Sequence, residues 1–155
     1  MAAATDNTLI LDTTKGEVVI EMRPDLAPTH VARIKELVRE GFYDGVVFHR
    51  VIEDFMAQTG CPEGTGTGGS GQKLKAEFSK EKHTRGTVSM ARAANPDSGD
   101  SQFFICFDEA PWLNGQYTVW GAVTEGMDNV DKIKRGEPVS DPDKIVTARM
   151  AAGAK

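Results

Sequence analysis

Arg50 and Gln58 sit among apolar neighbours in the run FHRVIEDFMAQ (48–58), with Phe48, Ile52, Phe55 and Met56 around them. A guanidinium is a permanent cation with several donors and no acceptor, so it is neither a general base nor a nucleophile. No obvious base or nucleophile stands beside it. Period-two alternation puts Phe48, Arg50 and Ile52 on one face of a strand. If Glu53-Asp54 turns the chain, Met56 and Gln58 share a face of the next strand, and Gln102 and Phe104 share a face of a third. Two readings follow. Arg50 either pairs with a carboxylate at a barrel surface, or belongs to a groove that takes an extended peptide. Composition does not choose between them.

Other residues with chemical potential fall into less productive patterns. EGTGTGGSG (63–71) contains GxGxxG matches, but a dinucleotide fingerprint must leave a strand and open a helix. Here QKLKAEFSKEK follows, without a helical apolar stripe, so a mobile surface loop is expected, with glycine permitting positive φ. His30, His49 and His83 lack any zinc spacing, and no metal or other cofactor is expected. His30 is expected to face solvent early in a helix. His49 is expected on the opposite side of its strand from Arg50, as a core residue. G-x-S-x-G does not occur. Glu53 and Asp54 are adjacent, so their side chains diverge and suit a turn better than paired acid and base work.

The elements that must position these groups are short. TLILDTTKGEVVIEM predicts a hairpin turning at Thr14-Lys15-Gly16. APTHVARIKELVREGF predicts a helix, with Pro28 near its start, Val31, Ile34, Leu37 and Val38 on one face and Gly41 at C′. Strands are expected at 46–52, 55–59, 87–91, 102–106 and 118–123. A second helix is expected over 127–136, with Met127, Val130 and Ile133 apolar. A final strand at 144–150 has Ile145, Thr147 and Arg149 alternating with Val146, Ala148 and Met150. Many short strands with two helices favour a mainly β barrel over a βαβ fold.

Bulk properties narrow the function class. The 155 residues suit one domain with a sizeable core. A formal net charge of −5 disfavours a nucleic-acid backbone or an anionic membrane as main partner. No apolar run approaches the roughly 18 residues of a membrane helix. MAAATDNTLI lacks the basic and apolar runs of a secretory signal, and Cys61 and Cys106 have no CxxC spacing. Two free thiols in a reducing cytoplasm are expected.

FHRVIEDFMAQTG closely resembles the cyclophilin signature. It is joined in order by GTGTGG (64–69), GTVSMARA (86–93), DSQFFIC (100–106) and WLNGQYTVWGAVTEGM (112–127). The resemblance runs from Thr8 to Met150. It implies an eight-stranded antiparallel closed β-barrel capped by two α-helices, acting as a peptidyl-prolyl cis–trans isomerase. Carried across by position, Arg50 matches the catalytic arginine, with Gln58 and Phe104 beside it. Phe55, Met56, Phe104 and Leu113 match the proline pocket, and Gln102 matches a polar group of the same groove. Ala91 and Arg92 match the segment whose backbone runs along the substrate. Trp112 matches the tryptophan that favours binding of cyclosporin. Implied partners are proline-containing peptides and unfolded or folding proteins, bound by a monomer.

Four positions depart from the best-known eukaryotic pattern. Tyr117 stands where those members have His, and a phenol still donates a hydrogen bond. Arg92 replaces Asn, an added cation that bears on sequence preference. Thr59 and Cys61 depart from a Gly-Gly-Asp pattern; both are expected at the rim and neutral for the chemistry.

Overall fold

Thr14 and Lys15 close the first hairpin, between β1 (Thr8–Thr13) and β2 (Gly16–Met22). Gly16 makes the turn at φ 124°, a conformation that L side chains rarely adopt. This computed structural model describes residues 7–66, 68–137 and 139–151. The remaining strands are β3 (Arg50–Ile52), β4 (Met56–Thr59), β5 (Thr87–Met90), β6 (Phe103–Cys106), β7 (Val119–Glu125) and β8 (Ile145–Met150). All neighbours pair antiparallel, in the order β3-β4-β6-β5-β7-β2-β1-β8. The sheet curls until its two edge strands face a common seam. No β3–β8 ladder closes that seam. Isolated bridges do so instead, Val47 to Lys144 and Val51 to Gly136, with Phe48 N–H donating to the Asp143 carbonyl at 2.8 Å.

The first helix, α1 (Pro28–Arg39), has the expected buried face of Val31, Ile34, Leu37 and Val38, and Gly41 follows its C-cap at φ 76°. His30 does not face solvent. It is 1% exposed, because the Glu77 carboxylate folds over the start of the helix. That carboxylate accepts from the Thr29 and His30 backbone N–H groups at 3.1 and 2.9 Å and lies 2.6 Å from His30 Nδ1. An anion at a helix N-terminus satisfies otherwise orphaned donors. Burial raises the Glu77 carboxyl, but its bonds from the His30 ring and the Thr29 and His30 amides outweigh burial and hold it low.

Three expected elements are shorter or differently faced. Strand β3 begins only at Arg50, because Val46 to His49 exchange hydrogen bonds with the 139–145 segment across the seam. The alternation expected over 48–52 therefore breaks: Phe48 is fully buried in the main core, while Ile52 packs with the outer cluster. The second helix, α2, covers Met127–Val130 rather than 127–136. The chain is drawn off so that Gly136 can exchange two 2.8 Å bonds with Val51. In β8 a register shift against β1 pairs Thr13 with Ile145 but Asp12 with Thr147. Val146 is the extra residue. The shift lets Ile145, Ala148 and Met150 all turn inward.

The barrel interior is filled by side chains, with Trp120, Tyr43, Phe48 and Phe103 essentially inaccessible. Tyr43 is anchored by its hydroxyl donating to the Ser101 carbonyl at 2.8 Å. A packed centre of this kind leaves the outer face of the sheet for ligands.

Candidate active site

Every residue of β6 is buried, which a strand with one solvated face does not permit. Its side chains sort by alternation. Phe103 and Ile105 join the barrel core, while Phe104 and Cys106 point outward into a second apolar cluster with Met56, Ala110 and Leu113. Antiparallel register sets Met56 of β4 opposite Cys106, and Gln58 opposite Phe104 and Arg50. Arg50, Gln58 and Phe104 thus lie in a row across three adjacent strands. The loop from Ala110 to Tyr117, with a 3-10 turn at Pro111–Leu113, folds over the cluster and supplies a wall.

A hollow of about 250 Å³ opens there. Phe55, Met56, Phe104, Leu113 and Tyr117 supply its apolar and aromatic lining, and Arg50, Gln58, Ala91 and Arg92 border it. A neighbouring hollow of about 210 Å³ shares Gln58, Gly66, Ala91 and Arg92 with the first and continues past Gln102, Lys73 and Asp100. The two make one groove with an apolar pit and a polar extension. Trp112, 63% exposed, stands at the rim with its ring 5.6 Å from that of Phe55.

The polar groups form a relay. Arg50 Nη1 donates to Gln58 Oε1 at 3.1 Å, and Gln58 Nε2 donates to Gln102 Oε1 at 2.9 Å. Gln102 Nε2 then donates to the Gly66 and Gly68 carbonyls, both at 3.0 Å. Arg50 Nε donates to Glu137 Oε2 at 2.8 Å. Both readings of Arg50 are therefore met at once, since it pairs with a carboxylate and also borders the groove. Among the described residues no acceptor lies on Nη2.

Support comes from behind the pit. The His83 ring stacks on Phe104 with centroids 6.1 Å apart, and its Nε2 lies 2.9 Å from Ser89 Oγ. Burial holds the His83 imidazole below its ordinary range, against the bond to Asn114. Burial also pushes the Cys106 thiol up to about 12, so beneath the pit it acts as a small apolar residue.

The expected site residues all lie in or at the rim of this groove, with one change of role. The Arg92 cation is tied to backbone carbonyls at the groove wall: Nε and Nη2 donate to the Gln116 carbonyl at 3.1 and 2.7 Å, and Nη1 to those of Ala93 and Ala94. Its guanidinium also covers the Tyr117 ring at 4.5 Å. Ala91 offers its backbone edge, with its N–H already given to the Gln102 carbonyl at 2.9 Å.

Thr59 and Cys61 are not at the rim. Both are fully buried, Thr59 donating to the Val47 carbonyl at 2.9 Å. Cys61 Sγ accepts from the Gly66 and Gly68 N–H groups at 3.2 and 3.3 Å. Burial raises this thiol, but those N–H groups outweigh it and hold it below the usual range. In the glycine-rich stretch, expected as a surface loop, Gly66, Gly68, Ser70 and Gly71 are hydrogen-bonded to Cys61, Gln102 and Asp100. His49, expected on the far side from Arg50, borders the same hollow, because the strand starts only at residue 50. Sequence reasoning missed Glu137, which no periodicity links to Arg50.

The curled antiparallel sheet thus carries its groove on the outer face, and its interior is packed with side chains rather than hollow. The family model described as cyclophilin type peptidyl-prolyl cis-trans isomerase/CLD matches residues 8–150, and the chain belongs to that family. It is 56% identical to a probable peptidyl-prolyl cis-trans isomerase of Brucella suis, an alignment spanning 99% of this chain and 87% of that one. Identity to peptidyl-prolyl cis-trans isomerase B of Bacillus subtilis is 45%, over 81% of this chain and 89% of the relative. A cyclophilin of Hirschia baltica superposes with a TM-score of 0.89 at 33% identity, covering 97% of this chain and 76% of that one. A Cryptosporidium parvum cyclophilin, crystallised in the presence of the dipeptide Ala-Pro, gives 0.87 at 27% identity, covering 94% and 99%. The protein is accordingly a peptidyl-prolyl cis–trans isomerase with the cyclophilin fold.

Proposed function

We propose that the chain accelerates rotation about X-Pro bonds by gripping the proline ring in the apolar pit while Arg50 stabilises the twisted amide. No σ-bond breaks in this reaction. The planar amide faces a rotational barrier of roughly 18–20 kcal/mol. At the top of the barrier conjugation is lost, and the proline nitrogen carries a localised lone pair. A guanidinium N–H donates well to that lone pair and poorly to a conjugated nitrogen. The contact is therefore stronger in the transition state than in the ground state, which is the condition for acceleration.

Magnitudes assign the other residues their work. A 10⁵-fold acceleration needs about 7 kcal/mol, at about 1.36 kcal/mol per factor of ten. One charge-assisted hydrogen bond contributes about 1.5–3 kcal/mol. The remainder comes from a preorganised site and from holding the ring while the preceding carbonyl turns. Phe55, Met56, Phe104 and Leu113 grip the ring. Gln58 holds Arg50, Gln102 holds Gln58, and the Ala91–Arg92 backbone runs beside the peptide. The observation that carries this reading is Arg50, bonded to Gln58 at the lip of the apolar pit with Nη2 turned to no protein acceptor among the described residues.

The substrates proposed are proline-containing peptides and segments of folding proteins. Exposed Trp112 at the rim supports cyclosporin binding. Free, buried Cys61 and Cys106 support work in a reducing cytoplasm. Among the described residues only Phe78, Trp112 and Val146 are large exposed apolar side chains, on separate elements, which supports a monomer. Exchange NMR on an Ala-Pro peptide tests the reaction: line broadening by catalytic amounts of protein is expected, and its absence sinks the reading. Calorimetry with cyclosporin tests the ligand, and no heat at tens of micromolar removes it. A purely binding groove would bind the peptide without changing single-turnover isomerisation, and it has no need of a cation at the lip.

A further inference from the structure

We infer that Glu137 is a positioning residue for the isomerase reaction, holding Arg50 so that one edge of its guanidinium faces the pit; this rests on the reading of Arg50 above. Glu137 is brought there by backbone and not by chance contact of two long side chains. Gly136 and Val51 exchange a pair of 2.8 Å hydrogen bonds, and Val139 N–H donates to the His49 carbonyl at 3.1 Å. These bonds stitch the chain to both residues flanking Arg50. The segment is thus fixed along the β3 edge, and Glu137 falls beside Arg50.

The division of donors gives Glu137 its role. Nε is given to Glu137 at 2.8 Å and Nη1 to Gln58 at 3.1 Å, on two separate atoms of a planar fork. Two acceptors on different nitrogens fix both the position and the plane of a guanidinium, which a single acceptor does not. Gln58 alone would leave the group free to swing about one bond. With Glu137 in place, Nη2 is the nitrogen left over for substrate, and it is held before substrate arrives. Preorganisation of this kind acts on the chemical step, because the donor need not be ordered at the moment the amide twists.

An exposed ion pair contributes little to folding. Glu137 is 58% exposed at its side chain, so its removal leaves the fold intact and isolates the effect on Arg50. Glutamine at this position keeps an oxygen that can accept from Nε, whereas alanine keeps none.

The experiment measures kcat and KM of wild type, Glu137→Ala and Glu137→Gln by exchange NMR on an Ala-Pro peptide, with the Arg50 Nε–H signal followed in a ¹⁵N spectrum. Glu137→Ala is expected to lower kcat about tenfold with KM nearly unmoved, below the 10²-fold cost of a full ångström of misplacement. Its Arg50 Nε–H signal is expected to collapse into rapid exchange with water. Glu137→Gln is expected to recover most of kcat and the protected signal. A Glu137→Ala enzyme with wild-type kcat overturns the inference. So does an equal loss in both variants with the Nε–H signal retained, since the charge rather than the placement would then matter. A wild-type chain without turnover sinks the isomerase mechanism instead, and the Nε–H signal alone still shows whether Glu137 holds Arg50.

Discussion

Replacing Arg50 with alanine isolates the transition-state contact from the rest of the site. The side chain is 39% exposed, and its partner Glu137 is more exposed still, so no buried charge is stranded by the change. Gln58 loses one donor but keeps its 2.9 Å bond to Gln102. An ion pair of this exposure contributes about 0–1 kcal/mol. For a domain of about 150 residues that shifts the melting temperature by roughly 4 °C at most. The catalytic loss is larger. Removing a hydrogen bond worth about 1.5–3 kcal/mol in the transition state lowers kcat/KM by roughly 10- to 200-fold. Because the apolar pit is untouched, most of the loss falls on kcat. Arg50→Lys keeps the charge but not the planar fork that meets Gln58 and Glu137 together, and should fall between wild type and alanine. The assay is protease-free exchange NMR on a short X-Pro peptide, beside a thermal melt of each variant. A folded Arg50→Ala protein with near wild-type kcat/KM would refute the mechanism.

Phe104→Ala should cost about 3–5 kcal/mol of stability, since the ring is 5% exposed and packs on His83 and Tyr117. It should also raise KM, and urea melts with peptide titration check both; an unchanged KM would remove Phe104 from the grip. Gly126 begins α2 at φ 87°, with a Cβ there driven into the Glu17 carbonyl, so Gly126→Ala should cost about 2 kcal/mol or more. A neutral melt would contradict that backbone constraint. His30, His49 and His83 are all held below their ordinary range, with burial the largest cause in each. The unfolded chain therefore takes up protons near pH 6.5 that the native state resists, so stability is full above about pH 6.5 and falls as pH drops below it. Urea unfolding from pH 7.5 to 5.0 should show that slope, and a flat profile would refute the buried, neutral assignment.

Local pattern carries much of the groove. Met56 with Gln58 and Gln102 with Phe104 follow from strand alternation alone, because the pleat sends every second side chain to the same face. The stripe of α1 follows equally from its 3.6-residue period. Pattern fails where one segment answers to another far along the chain. His30 is buried because Glu77 arrives from 47 positions away. The 48–50 stretch loses its alternation because the seam claims its backbone bonds, and α2 stops early because Gly136 is drawn to Val51. Cys61 becomes the fastener of the glycine loop only once that loop has closed over it. Glu137 meets Arg50 across 87 residues of chain. Residue type and short-range spacing thus specify which groups face outward together. Which carboxylate holds the arginine, and which histidines lose their water, depends on barrel closure, since hydrogen bonds and desolvation act through space and carry no memory of sequence distance.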